Sequence, residues 1–148
     1  MIGVDTNLLV YAHREDSPWH EAAYECLKGL AEANALWAIA WPCIHEFLAI
    51  VTHPRIYAPP SPLKRAVEQV EAWLESPSLV LLSEGEGYWA ELRSLLKTGK
   101  VDGPQVHDAR IAALCRFHGV RELWTADRDF SRFGGIAVKN PLLEEKSD

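Results

Sequence analysis

A chain of 148 residues, 48% hydrophobic and 24% charged, is long enough to bury a core of its own and too ordinary in composition to be wholly disordered. Fifteen lysines and arginines against twenty-one acids give a formal charge of −6, which excludes a simple basic nucleic-acid-binding module. That balance leaves room for an enzyme that gathers acids around cations. No apolar run reaches the roughly 20 residues of a membrane helix, and no secretory h-region stands at the start, so a cytoplasmic chain without membrane association is expected.

In chain order, residues 2–5 read as a short buried strand that carries Asp5 at its exit. Residues 17–33, "SPWHEAAYECLKGLAEA", read as a helix, with Ser17 as N-cap, Pro18 in the first turn, and Ala23, Leu27 and Leu30 at helical spacing. "ALWAIAW" (35–41) reads as a second strand and "PCIHEFLAIVTH" as a helix opened by Pro42. Four prolines between Pro54 and Pro62 mark a loop, after which Ser61 is expected to cap a helix running through Trp73. "LVLLSEG" is the third strand, "GYWAELRSLLKT" an amphipathic helix, and Gly99, Gly103 and Pro104 break the chain before the helix "VHDARIAALCRFHGV". "ELWTAD" and "GIAVKNP" complete five strands.

Strands alternating with helices of this length predict a single α/β domain over 1–148, with a parallel sheet covered on both faces and the last few residues a disordered tail. Cys26, Cys43 and Cys115 are widely spaced and odd in number, which fits free thiols rather than a disulfide framework or a zinc site. Most tryptophans read as core or interface, with base stacking the lesser reading.

Ligand sites in such sheets lie outside the carboxyl ends of the strands. Asp5 and Asp127 fall at two of those ends, Glu46 in the helix after the second strand, and Asp108 at the start of the helix before the fourth. One crevice can collect all four carboxylates. Clustered acids repel one another unless cations neutralise them, and Mg²⁺ or Mn²⁺ suits a set of hard oxygen donors. Such ions acidify water and steady a phosphoester's oxygens, so phosphodiester hydrolysis is the favoured chemistry. Taken singly, Asp108 reads as a helix-terminal acid and Asp127 and Asp129 as turn acids, whereas no cap or turn in the sequence accounts for Asp5.

With these acids placed, the chain resembles a PIN-domain ribonuclease, specifically the VapC toxins of type II toxin–antitoxin pairs. "VDTNLLVYAH" is similar to the family's opening motif, "IHEFLAIVTHP" to its second block and "VHDARIAAL" to its third. "LWTADRDFSRF", followed by "NPL", is similar to the closing block, with Gly134-Gly135 standing where relatives often carry Pro-Gly. The resemblance implies a three-layer α/β/α PIN-like fold and a metal-dependent endoribonuclease. Asp5, Asp108 and Asp127 would hold Mg²⁺ or Mn²⁺, and Glu46 would complete the acidic quartet. Asn7, Thr125 and Asp129 would be accessory. It also implies a homodimer, RNA as substrate, and a small antitoxin that can insert a basic side chain into the acidic pocket. Candidates for gripping the RNA backbone are Arg14, Lys100, Arg110, Arg128 and Arg132, and the segment 98–106 is the candidate for target choice.

Three rival readings remain. A receiver-type signalling domain needs a phosphoacceptor Asp after its third strand, where this chain has "LVLLSEGEG". A phosphatase with an aspartyl nucleophile needs a second acid where Asn7 stands. A catalytically silent PIN-like binding protein would keep the fold without the reaction.

Overall fold

The computed structural model describes residues 1–143; the expected tail at 144–148 lies outside the described residues. Five strands, β1 (Ile2–Val4), β2 (Trp37–Ala40), β3 (Leu79–Leu82), β4 (Glu122–Trp124) and β5 (Ala137–Lys139), form one sheet in the order β3-β2-β1-β4-β5. Every pairing is parallel. Parallel strands are covered on both faces and so read as continuous apolar runs rather than alternating ones. Trp37, Ala38, Ile39 and Ala40 of β2 are accordingly all buried.

Six helices flank the sheet: α1 (Thr6–His13), α2 (His20–Glu32), α3 (Trp41–Val51), α4 (Leu63–Leu74), α5 (Tyr88–Thr98) and α6 (Gln105–Phe117). α1 packs on α2 and α3, α3 packs on α4, and α5 pairs with α6. The result is the three-layer α/β/α arrangement. Leu8 and Leu9 of α1, Phe47 of α3 and Leu114 of α6 are fully buried, and the Phe47 ring meets Trp73 edge-on at 4.8 Å. Gly3 lets the sheet close on its neighbours, since a Cβ there would lie 3.1 Å from Val120 Cγ1.

The order places β1 at the centre. From β1 the chain builds outward to β2 and β3, then crosses to β4 and β5 on the other side. The switch point, where α/β sheets open a crevice, therefore lies between the carboxyl ends of β1 and β4.

Three local expectations are corrected. The strand ends at Val4 and Asp5 begins a helix, α1, that was not anticipated: "TNLLVYAH" spans barely two turns and carries apolar side chains nearly all round, so it shows no one-sided stripe. Ser17 does not cap α2, which starts at His20 behind Trp19; its hydroxyl accepts from the Trp19 amide in the preceding turn. Ser61 does not cap α4, whose first residue follows Pro62; its hydroxyl instead meets Arg14 Nη1 at 3.2 Å and His13 Nε2 at 3.0 Å. In the last case a tertiary partner wins over the local cap.

All three cysteines are free, with Cys43 and Cys115 buried and Cys26 half-buried. No helix among the described residues is long and apolar enough to cross a membrane.

Candidate active site

Asp5 leaves β1 with extended backbone (φ −82°, ψ 162°) and is the N-cap of α1: its Oδ1 accepts from the Thr6 amide at 2.8 Å. This satisfies one of the orphan amides of the first turn and sets a carboxylate at the positive end of the helix. The cap is the local reason for an acid at this position that sequence reading lacked. Its second oxygen, Oδ2, accepts from the Thr125 hydroxyl at 2.8 Å. The Asp5 amide in turn donates to the Trp124 carbonyl, so the residue is tied to β4 through backbone and side chain together.

Thr125 is the hub of the β4 side. Having given its proton to Asp5, its oxygen accepts from Asn7 Nδ2 at 3.1 Å and from the Asp127 amide at 3.0 Å. Asn7 Oδ1 accepts from the Ala126 amide at 3.2 Å, closing a loop between the start of α1 and the segment after β4. Asp127 lies beyond the end of β4 rather than within it, and caps the short 3-10 helix Arg128–Arg132 by accepting from the Asp129 amide at 2.9 Å. One oxygen of Asp127 is thus occupied by a turn bond of the kind that composition alone suggests, which leaves the other oxygen outside that bond.

Two contributors were not anticipated. The Thr6 hydroxyl donates to Glu46 Oε2 at 2.8 Å, joining α1 to α3, and the Cys43 thiol lies 3.8 Å from Asp5 Oδ1. The signal for Thr6 was its place beside Asp5 in "DTN". For Cys43 it was the one-turn spacing to Glu46, which puts the thiol on the side of α3 that faces β1.

Asp5 is 5% exposed, and that burial pushes its carboxyl up to about 6. Hydrogen bonds from Thr125 and Thr6 pull the other way, while Glu46 and Asp108 add like-charge repulsion. Desolvation also raises Asp108, followed by Asp127, Asp129 and Glu46, with Arg132 opposing. Removal of water thus outweighs mutual repulsion for both acids. Burial, then the charge of Asp5, holds the Cys43 thiol well above its usual range, which keeps it a proton donor.

Asp5 therefore feels the charges of Glu46 and Asp108, and Asp108 those of Asp127, the exposed Asp129 and Glu46. Among the described residues, no three His, Cys, Asp or Glu side chains converge into a ready-made cation cage. The donors are all hard oxygens sharing an electrostatic neighbourhood, which suits a hydrated Mg²⁺ or Mn²⁺ held by a few carboxylates and its own waters.

The basic candidates divide. Arg132 is close enough to lower the Asp108 carboxyl, and its Nε donates to the Asp129 carbonyl. Arg128 is exposed on the same 3-10 helix, and Lys100 is exposed in the turn after α5 at φ 50°. Arg110 pairs with Glu84 at 3.4 Å. Arg14 is nearly buried at the far end of α1 from Asp5; it is paired with Asp16 at 2.6 Å, bonded to Ser61 and set 4.1 Å above the Tyr57 ring.

Comparison with known proteins identifies the family and the fold. A family model for the PIN domain matches residues 2–136. Ribonuclease VapC48 of Mycobacterium tuberculosis is 33% identical over 138 residues, covering 93% of this chain and 95% of the relative. Among solved structures, Mycobacterium tuberculosis VapC20, described as a sarcin–ricin loop cleaving toxin, superposes with a TM-score of 0.69 at 17% identity, covering 95% and 100% of the two chains. VapBC2 from Rickettsia felis, solved on a DNA fragment of its promoter, superposes with a TM-score of 0.66 at 22% identity over 95% and 98%. Matched along nearly its whole length and carrying the buried acid at the switch point, the chain belongs to the PIN-domain family, among the VapC ribonucleases.

Proposed function

We propose that the chain is a single-domain, metal-dependent endoribonuclease, the toxin of a toxin–antitoxin pair, which hydrolyses RNA phosphodiester bonds at the Asp5 crevice. The observation that carries this reading is Asp5 itself: a buried carboxylate, held by Thr6 and Thr125, whose ionisation is disfavoured by burial and by the acids around it. A charge set at such a cost is offset by a cation. Asp5, Asp108 and Asp127 would hold Mg²⁺ or Mn²⁺, which supplies, when bound, charge neutralisation at the scissile phosphate and acidification of water. Glu46, oriented by the Thr6 hydroxyl, would complete the acidic quartet. Thr125 and Asn7 fix the Asp5 carboxylate and the backbone of the Asp127 turn, so the acids on β1 and beyond β4 keep one mutual geometry. Asp129 is accessory. Arg132 and Arg128 on the 3-10 helix, with Lys100, make no ion pair among the described residues and are the basic side chains best suited to an RNA backbone.

A homodimer and a small antitoxin are the proposed protein partners, the latter supported by the toxin–antitoxin complexes to which the fold is similar. An inserted arginine would meet in these carboxylates the same charge that attracts a metal.

The test is incubation of purified, antitoxin-free protein with a cellular RNA pool in Mg²⁺, in Mn²⁺ and in EDTA, beside Asp5→Asn. Discrete metal-dependent fragments that vanish in the variant support the assignment. A folded protein that cuts nothing shifts the reading to a silent PIN-like binding protein.

A further inference from the structure

An acidic crevice on a chain of charge −6 repels the phosphates it has to cut, so part of the grip on RNA must come from contacts that carry no charge. α3 contains neither lysine nor arginine, and the acid it presents is Glu46. It does carry an unexplained aromatic pair. Trp41 opens α3 and is 38% exposed, although its neighbours Pro42, Cys43 and Ile44 are buried. His45, one turn on, is also exposed, and the two rings lie 6.3 Å apart with a 34° tilt.

Register fixes where this pair stands. Gly3 of β1 is level with Ala38 of β2, so Ala40 is level with Asp5 and Trp41 is the next residue outward. Adjacent strands are about 4.8 Å apart, which sets Trp41 one strand over from Asp5 and one residue beyond its level, at the carboxyl end of the sheet. Glu46, immediately after His45, is joined to the start of α1 by Thr6. The indole is thus exposed at the opening of a helix whose next three residues are buried in the core.

We infer that Trp41, supported by His45, is a stacking platform for an unpaired base of the RNA next to the scissile phosphate. The inference rests on the ribonuclease reading above and adds to it a residue that would hold the substrate: a base paired in a duplex offers no open face, so Trp41 would take a base that is free to leave its neighbours. Stacking is tolerant of base identity, so Trp41 supplies affinity and register while sequence choice lies elsewhere.

The experiment measures equilibrium binding of fluorescein-labelled U₁₂ and A₁₂ oligonucleotides, and of a 12-base-pair RNA duplex, to the Asp5→Asn protein in EDTA. The same measurement is made on Asp5→Asn carrying Trp41→Tyr or Trp41→Leu. Leucine keeps apolar bulk without a ring, and tyrosine restores the ring, so a folded pair of variants is available. The expected result is single-strand binding weakened about tenfold or more by leucine, largely restored by tyrosine, with little effect on the duplex. In the Asp5-intact protein the same leucine change raises KM with kcat nearly kept. Equal binding by the leucine and parent proteins overturns the platform, as does failure of the parent to bind either oligonucleotide. A leucine variant that loses binding only because it changes its sedimentation as an oligomer overturns it too, and makes Trp41 a subunit contact. Absence of metal-dependent cleavage by the Asp5-intact protein counts against the ribonuclease reading alone, because the binding assay needs no catalysis.

Discussion

The Thr6 hydroxyl donates to Glu46 Oε2 at 2.8 Å while the amide of the same residue donates to Asp5 Oδ1 at 2.8 Å, so one threonine orients two acids on different elements. Substitution separates the two bonds, because only the first belongs to the side chain. Thr6→Val keeps the shape and the cap of α1 but frees the Glu46 carboxylate. Cleavage is expected to fall about 10- to 100-fold, the usual loss when a group orienting a metal-site acid is removed, and Thr6→Ser should restore most of it. Initial rates on a fixed RNA, set beside melting temperatures, check this. A fall in rate without a comparable fall in Tm is the expected outcome.

Asp5 makes the metal-free protein sensitive to pH in an unusual direction. Its carboxyl sits at about 6 in the fold, above the 3.8 of an unperturbed group. Between those values the native state holds more proton than the unfolded chain, so stability declines as pH rises through the window and the deficit is complete above it. Two units correspond to about 3 kcal/mol. In EDTA, Tm should therefore drop from pH 5 to pH 7.5, and Asp5→Asn should flatten that slope and melt several degrees higher than the parent at pH 7.5. Saturating Mg²⁺ should recover stability for the parent and not for the variant.

Thr125→Val tests the β4 side. The Thr125 hydroxyl is the largest influence holding the Asp5 carboxyl down, so its loss should raise that group further above its ordinary value. The acid limb of the pH–rate profile is then expected to move toward higher pH, with the rate at neutral pH reduced. Unmoved limbs with a uniformly lower rate would show that Thr125 acts on Asp127 and not on Asp5. Thr125 is 1% exposed and its hydroxyl also accepts from Asn7 Nδ2 and the Asp127 amide, so some loss of Tm accompanies the change.

Arg14 was a candidate for gripping RNA, but its guanidinium is spent inside the protein on Ser61, Asp16 and the Tyr57 ring. Arg14→Met should lower Tm by about 3–6 °C, from the lost hydrogen bond and ring contact, the half-exposed Asp16 contributing little. RNA affinity of the folded variant should be unchanged. Arg132→Ala is expected to do the reverse, weakening RNA binding with Tm nearly constant.

What could be read from the chain divides along physical lines. The five strands were legible because short apolar runs between glycine and proline breaks have few alternatives, and the places of Asp5 and Asp127 just beyond two strands follow from where those strands end. α1 was illegible: a helix buried on most sides has no polar stripe, and "VDTNLLVYAH" passes as strand and exit. The same misreading hid the capping role of Asp5. The hydroxyls of Thr6 and Thr125 found acceptors 40 and 120 residues distant, and those of Ser17 and Ser61 served turn and tertiary contacts where local rules predict caps. Exposure of Trp41 beside buried Trp37 and Trp73 was equally out of reach, since periodicity places a side chain on a face without saying whether anything covers it.

The central place of β1 has a temporal consequence. The acid it delivers is synthesised first, but the hydroxyl that clamps it comes from beyond β4, on the opposite flank of the sheet. Until that late segment docks, Asp5 lacks its strongest partner and the Asp127 turn has nothing to anchor it. A growing chain therefore carries an unclamped Asp5 until its last third has been made. The clamp on Asp5 is set only by the final closing of the sheet, when β4 takes its place beside β1.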